Sequence, residues 1–192
     1  MILNENFYRR DAVTVARELI GCRLVRETDM GRMSGIIVET EAYMGRIDDA
    51  AHSYKGKTER VKVLFGEKGR AYVYLIYGMY CCLNVSAGPE GEPECVLIRA
   101  LEPEDGIKLM EQNRRTDKLR NLCSGPGKLC MALGITREQN GADMTASGEL
   151  YIETGRAADI CASKRIGIDY AEKCRDELWR FTEMDSIYVS KP

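Results

Sequence analysis

Two carboxylates two positions apart, Glu39 and Glu41, sit in the run Ile36-Ile37-Val38-Glu39-Thr40-Glu41-Ala42-Tyr43. The run is rich in β-branched residues and its polar side chains recur at every second position, so it reads as a strand. Alternation sends Val38, Thr40 and Ala42 to one face and Ile37, Glu39, Glu41 and Tyr43 to the other. The first face is small and apolar, suited to a packed core. The second carries an aromatic ring and two carboxylates whose Cα atoms lie about 6.5–7 Å apart on a strand. Alternating glutamates most often form a solvated sheet face. As a working pair they could serve as acid and base around a glycosidic bond. Together with Asp48 and Asp49 they could hold a divalent cation through oxygen ligands.

Other chemistry-bearing residues follow. His52 is the one histidine of the chain, in Asp48-Asp49-Ala50-Ala51-His52-Ser53. Beyond a charged loop comes the aromatic run Ala71-Tyr72-Val73-Tyr74-Leu75-Ile76-Tyr77-Gly78-Met79-Tyr80. Arg99 stands alone in the apolar stretch Val96-Leu97-Ile98-Arg99-Ala100-Leu101, and a cation there requires an acidic partner. Ser124-Gly125-Pro126-Gly127-Lys128-Leu129 is not a Walker loop, because leucine follows the lysine and the leading glycine spacing is absent. A glycine-rich helix entry with a lysine suits a single phosphate, and it is also an ordinary helix start.

Glu39-Thr40-Glu41-Ala42-Tyr43, Ala51-His52-Ser53 and Tyr72-Val73-Tyr74-Leu75-Ile76-Tyr77-Gly78-Met79-Tyr80 resemble successive signature segments of the alkyladenine (3-methyladenine) DNA glycosylase family. Ser124-Gly125-Pro126-Gly127-Lys128-Leu129 and Arg165-Ile166-Gly167-Ile168 are similar to further family segments, so the resemblance covers most of the chain. It implies a monofunctional DNA glycosylase that flips out alkylated or deaminated purines such as 3-methyladenine, 7-methylguanine or hypoxanthine. It implies no cofactor and no metal. Glu41 takes the place of the general base that activates water, and Arg99 lies near it and the flipped nucleotide's phosphate. Tyr43, Tyr74 and His52 match positions lining the base pocket, Asn84 the residue beside the purine's minor-groove edge, and Leu97 its wall. Tyr77 matches the side chain entering the DNA stack and Met79 its apolar neighbour, while Arg60, Lys128 and Arg165 fall in segments expected to contact DNA. The chain departs from the family pattern at Thr58-Glu59-Arg60-Val61, usually Thr-Pro-Arg-Asn, and at Leu64, usually methionine. Near Tyr170-Ala171-Glu172-Lys173-Cys174 it lacks the usual Gly-Glu-Trp. The rival reading from another class is a catalytically silent module that binds damaged DNA.

The elements positioning these residues form one domain over residues 1–192, a length that supports a substantial core. Asp11 caps a helix from Ala12 to Ile20 that turns Val13, Ala16, Leu19 and Ile20 inward and stops at Gly21. Cys22 to Arg26 is a strand, and Gly31 and Gly35 bracket a turn into the central strand. Ala71 to Val85 forms two strands meeting near Tyr77-Gly78, where no two-residue turn signature fixes the register. Glu94 to Leu101 is a strand buried except at Arg99, and Pro103 starts a helix. A short helix spans Leu129 to Leu133, closed by Gly134, and Leu150–Glu153, Leu178–Phe181 and Ile187–Val189 are late strands. Without alternating βαβ order, the expectation is a mixed α/β fold with a largely antiparallel sheet and flanking helices; the resemblance implies the same, with a curved sheet and a DNA-inserting hairpin.

The net charge of −2, from 28 basic and 30 acidic residues, is mildly unfavourable to a nucleic-acid partner, since phosphate binding is driven by Lys and Arg. The distribution is uneven. Lys55, Lys57, Arg60, Lys62, Lys68 and Arg70 crowd one loop, and Lys108, Arg114, Arg115, Lys118, Arg120 and Lys128 form a second run. By themselves these runs read as solvated faces; the resemblance implies double-stranded DNA containing damaged purines as the partner, bound by a monomer. With no apolar run long enough for a membrane and no signal-peptide pattern, a cytoplasmic, nucleoid-associated location is expected. The eight cysteines form no C-x-x-C pair, which argues against zinc, and reduced thiols are expected, with Cys81, Cys95 and Cys130 buried.

Overall fold

A computed structural model describes residues 1–191. In chain order the elements are α1 (Glu5–Tyr8), α2 (Ala12–Glu18), β1 (Arg23–Thr28), β2 (Gly31–Tyr43), β3 (Ala71–Ile76), β4 (Tyr80–Ala87) and β5 (Glu94–Asp105). They continue with α3 (Ile107–Arg114), α4 (Leu119–Leu122), α5 (Pro126–Ala132), β6 (Leu150–Glu153), β7 (Ile160–Ser163) and β8 (Arg180–Glu183). The strands make one curled antiparallel sheet in the order β3-β4-β5-β2-β1-β6, with β8 joining β2 and β7 joining β8. Among the described residues no helix is long and apolar enough to cross a membrane.

Everything hangs on β2. One of its edges pairs with β5 along nearly its whole length, and the other pairs first with β1 and then, from Glu39 to Glu41, with β8. Thr40 and Ala42 are fully buried against α2, and the Thr40 hydroxyl donates to the Ala16 carbonyl at 2.8 Å. Simple alternation fails upstream of Glu39, because the β2–β5 register skips Val38 on one strand and Arg99 on the other. A bulge of this kind reverses the facing of the residues before it. Ile37 therefore joins Ala42 in the main core, whereas Ile36 and Val38 pack on the opposite side with Ala100, Tyr188 and Val189.

The α2 expectation holds: the Asp11 side chain accepts from the Thr14 N–H at 2.9 Å, and Val15, Ala16 and Leu19 are buried. Gly35 lies inside β2 and not in a turn; a Cβ there would meet the Glu102 carbonyl at 2.7 Å, so glycine is required by the approach of β5. Pro103 continues β5 and does not start a helix; α3 begins after Gly106. Pro103 pairs with Gly35 of β2 at an irregular register, in a part of β5 that β4 does not reach, the kind of edge or bulge position in which a strand tolerates proline. Residues 187–189 form no strand, and β7 was not apparent from the sequence.

The β3–β4 hairpin turns at Tyr77 and Gly78, with φ of +53° and +70°. Left-handed backbone at both central positions is the requirement of a type I′ turn. Glycine meets it freely, but a tyrosine held at positive φ is strained. Tyr77 and Met79 point outward at 83% and 67% exposure.

Candidate active site

The two glutamates are not on a solvated face. Both side chains are fully buried beside Arg99, which is itself only 8% exposed. The bulge that skips Arg99 in the β5 ladder aims its guanidinium between them: Nε donates to Glu39 Oε1 at 2.9 Å, and Nη1 lies 3.3 Å from Glu41 Oε2. Arg180 from β8 adds a second cation, donating from Nε to Glu39 Oε1 at 2.9 Å. Burial alone would raise the Glu39 carboxyl, but Arg99, the Ser190 N–H and Arg180 outweigh it and hold it below the usual carboxylate value. The arrangement has no resemblance to an acid–base pair straddling a bond, because both carboxylates are engaged by one guanidinium. Nor do Glu39, Glu41, Asp48 and Asp49 converge as cation ligands, since arginines occupy the first three.

Glu41 has a separate set of partners. The Ile166 N–H donates to Oε1 at 2.7 Å, and the Tyr43 hydroxyl donates to Oε2 at 3.0 Å. Tyr43, Ile166 and Arg99 also line a cavity of about 430 Å³, within the range of small-ligand sites. Glu41 thus lies directly beneath the cavity floor, one side chain deep.

Aromatic rings make the cavity walls. Tyr72 and Tyr74, two apart on β3, share a face, with ring centroids 5.4 Å apart. His52 meets Tyr74 edge-on at 4.6 Å, and its Nδ1 lies 3.0 Å from the Tyr72 hydroxyl. Arg60 caps this group, with its guanidinium 5.2 Å from the centre of the Tyr74 ring and Nη2 3.4 Å from His52 Nε2. Burial first, and then the neighbouring Arg60 charge, push the His52 pKa down to about 4, so the ring is neutral at physiological pH. Because Arg60 can only donate, the proton is assigned to Nδ1. Asn84 and Leu97 complete the wall; the Asn84 amide donates to the Tyr72 carbonyl at 3.1 Å. The structure therefore brings Tyr43, His52, Arg60, Tyr74, Asn84, Leu97 and Arg99 together around one cavity with Glu41 below it. Tyr72, Ile166 and Tyr170 join them without having been singled out. The Tyr72–Tyr74 spacing was the available signal for the first, but the other two arrive from a distant loop.

Arg165 is elsewhere than expected. Its side chain is fully buried, paired with an equally buried Asp48, and donates to the Ala42 carbonyl at 3.0 Å and the Cys174 carbonyl at 3.1 Å. Its guanidinium stacks between Tyr43 and Trp179 at 4.8 and 4.9 Å. A cation enclosed in this way cannot reach a DNA phosphate, and it serves to fix the Tyr43 ring. Asp49 accepts the backbone N–H groups of Glu172, Lys173 and Cys174. Asp48, Asp49 and Cys174 lie close enough to share an ion, but both carboxylates already have these partners.

The basic runs are partly neutralised. Lys68 is buried, donating to the Leu64 and Glu92 carbonyls, and Arg70 bonds Glu67 and Asp143. Lys62 pairs with Glu59, Lys108 with Glu111, and Arg120 bonds the Ile187 carbonyl. Among the described residues, the Lys128 ammonium, on the first turns of α5, hydrogen-bonds only the Ser124 hydroxyl, at 3.2 Å. All eight cysteines are free, with Cys95 and Cys130 buried and Cys81 half-buried.

The sequence profile of the methylpurine-DNA glycosylase family matches residues 6–187. The chain belongs to that family. A protein of Methanocella arvoryzae is 51% identical over 99% of this chain and 96% of its own length. Proteins of Desulfitobacterium hafniense and Clostridium tetani are each 48% identical, with 98% of both chains and 100% of both chains covered, respectively. All three bear the name "Putative 3-methyladenine DNA glycosylase". Membership makes the chain a DNA glycosylase, a hydrolase of DNA repair.

Proposed function

We propose that this glycosylase draws a methylated or deaminated purine out of duplex DNA into the aromatic cavity and hydrolyses its N-glycosidic bond with Glu41 as general base. The observation that carries this reading is the position of Glu41, fully buried and in contact with Tyr43, Ile166 and Arg99, three groups that line the cavity.

A base stacked in duplex DNA hides the bond to be cut, so it must leave the helix. Tyr77, exposed at the tip of a strained turn beside Met79, is shaped to fill the vacated space and offset an unstacking cost of a few kcal/mol. The extruded purine is then received by the faces of Tyr43 and Tyr74. A 3-methylated adenine is cationic, and aromatic faces attract cations; a neutral His52 adds no repulsion. A neutral lesion such as hypoxanthine keeps the stacking and loses the cation–π contribution.

A cationic purine is already a good leaving group. The remaining work is to supply a nucleophile and to stabilise positive charge developing on the sugar. Glu41 does both when a water replaces the Tyr43 hydroxyl at Oε2 and gives up its proton as it attacks. Ile166 holds Oε1 throughout, so the carboxylate keeps its orientation. Among the described residues no lysine lines the cavity, which leaves no amine there for a Schiff base and supports base release without strand cleavage.

The test is Glu41→Gln, which keeps shape and cannot accept a proton. Base release under single-turnover conditions should disappear while binding to a lesion duplex persists. Near wild-type turnover by this variant would remove Glu41 from the role of base.

A further inference from the structure

Glu39 is the more heavily bonded of the two buried glutamates, yet it makes no contact with the cavity. Its Oε1 receives Arg99 Nε, Arg180 Nε and the Ser190 hydroxyl, each at 2.9 Å, and its Oε2 receives the Ser190 N–H at 2.6 Å. Ser190 also stands 3.4 Å from Arg99 Nη2, and the Lys191 carbonyl accepts from Arg180 Nη2. Ser190 belongs to a segment without regular structure, held by Tyr188 and Val189 packing on Ile36, Val38 and Ala100. The segment crosses the outside of β2 and ends on the charge cluster beneath the cavity.

These contacts divide the Arg99 guanidinium. One nitrogen is fixed by Glu39, one lies near Ser190, and Nη1 alone faces Glu41 at 3.3 Å. Arginine and a lone carboxylate prefer a two-pronged pairing. That pairing would occupy the oxygen on which Glu41 must hold water. Glu39 prevents it by holding Nε, and the segment at Tyr188–Lys191 holds Glu39.

We propose that Glu39 and the segment at Tyr188–Lys191 are positioning groups for base release: they hold Arg99 out of a two-pronged pairing with Glu41, so that water can take the place of the Tyr43 hydroxyl at Oε2. The inference rests on the reading of Glu41 as the base. The charged groups facing one another here are Glu39, Glu41, Arg99 and Arg180, two of each sign, with the Arg165–Asp48 pair beyond Tyr43. Replacing the Glu39 carboxylate by an amide weakens the hold on Arg99 Nε and lets Arg99 turn toward Glu41 in the two-pronged pairing.

The experiment compares Glu39→Gln, Ser190→Ala and Glu41→Gln in the full chain, with melting temperature, affinity for a lesion duplex, kcat and KM as readouts. Glu39→Gln should lower kcat by about ten- to a hundredfold, on the order of the loss when the outer partner of a metal ligand is removed. KM and duplex affinity should change little. Ser190→Ala keeps the backbone N–H and should show a smaller effect in the same direction. Loss of duplex affinity and kcat together, in step with melting, would mean that Glu39 only holds the fold, and would overturn the proposal. Wild-type kcat in both variants, with Glu41→Gln inactive, would overturn it while leaving Glu41 as the base. An active Glu41→Gln would remove the base reading and this inference with it.

Discussion

Arg165 provides the sharpest test of whether its segment touches DNA or builds the pocket. The perturbation is Arg165→Met, which keeps much of the side-chain volume and removes the charge. In the structure both partners of the Arg165–Asp48 pair have no exposed side-chain surface. Deleting one partner of a buried ion pair leaves an uncompensated charge and costs about 3–5 kcal/mol. The two hydrogen bonds to the Ala42 and Cys174 carbonyls are lost as well. A domain of this size loses about 2–4 °C of melting temperature per kcal/mol, so a fall of about 6–20 °C is expected. Asp48→Asn should be destabilising too, and the double variant should lose less than the sum of the two, because each single change strands the other charge. The assays are thermal melting and the dependence of DNA affinity on salt. The salt slope should be unchanged, since a buried guanidinium releases no counterion. An unchanged melting temperature with a slope reduced by about 0.9, the value of one phosphate contact, would refute this account and restore Arg165 to the DNA surface.

Tyr77→Ala should weaken binding to lesion duplex more than to the same lesion in single-stranded DNA, because only the duplex presents a gap to fill; equal losses would reduce Tyr77 to a packing residue. Affinity for duplex should fall with salt, and Lys128→Ala should lower the log–log slope by about 0.9 with similar losses on every sequence; a flat salt response would remove the electrostatic part of the DNA reading. His52 carries a folded-state pKa lowered from 6.5 to about 4. Between these values the unfolded chain binds more protons than the folded one, so stability falls as pH drops from about 6.5 to about 4. Urea denaturation of wild type and His52→Gln across this window checks it: the pH dependence should be shallower in the variant, and parallel curves would contradict the low pKa.

The sequence by itself determined those parts that rest on local pattern. The central strand was legible because β-branched residues and period-two polarity coincide from Ile36 to Tyr43. Helix α2 was legible because Asp11 is a capping residue with a turn of small apolar residues behind it. The tyrosine-rich hairpin and the segments around Glu41 and His52 also carried the family resemblance.

What only the tertiary structure decided depends on partners far apart in the chain. Local alternation could not reveal the bulges at Val38 and Arg99, which arise from the pairing of two long strands and send one arginine to two glutamates 60 residues or so away. Arg165 and Lys68 look from sequence like surface cations. Asp48, 117 residues from Arg165, and the carbonyls at Leu64 and Glu92 around Lys68 make their burial possible. The segment at Tyr188–Lys191 has strand-like composition, yet it forms none, because its backbone and Ser190 hydroxyl bind the charges under β2. Periodicity reports which side of an element is apolar. It does not report which distant charge will neutralise a buried one, and in this protein those pairings build the floor of the site.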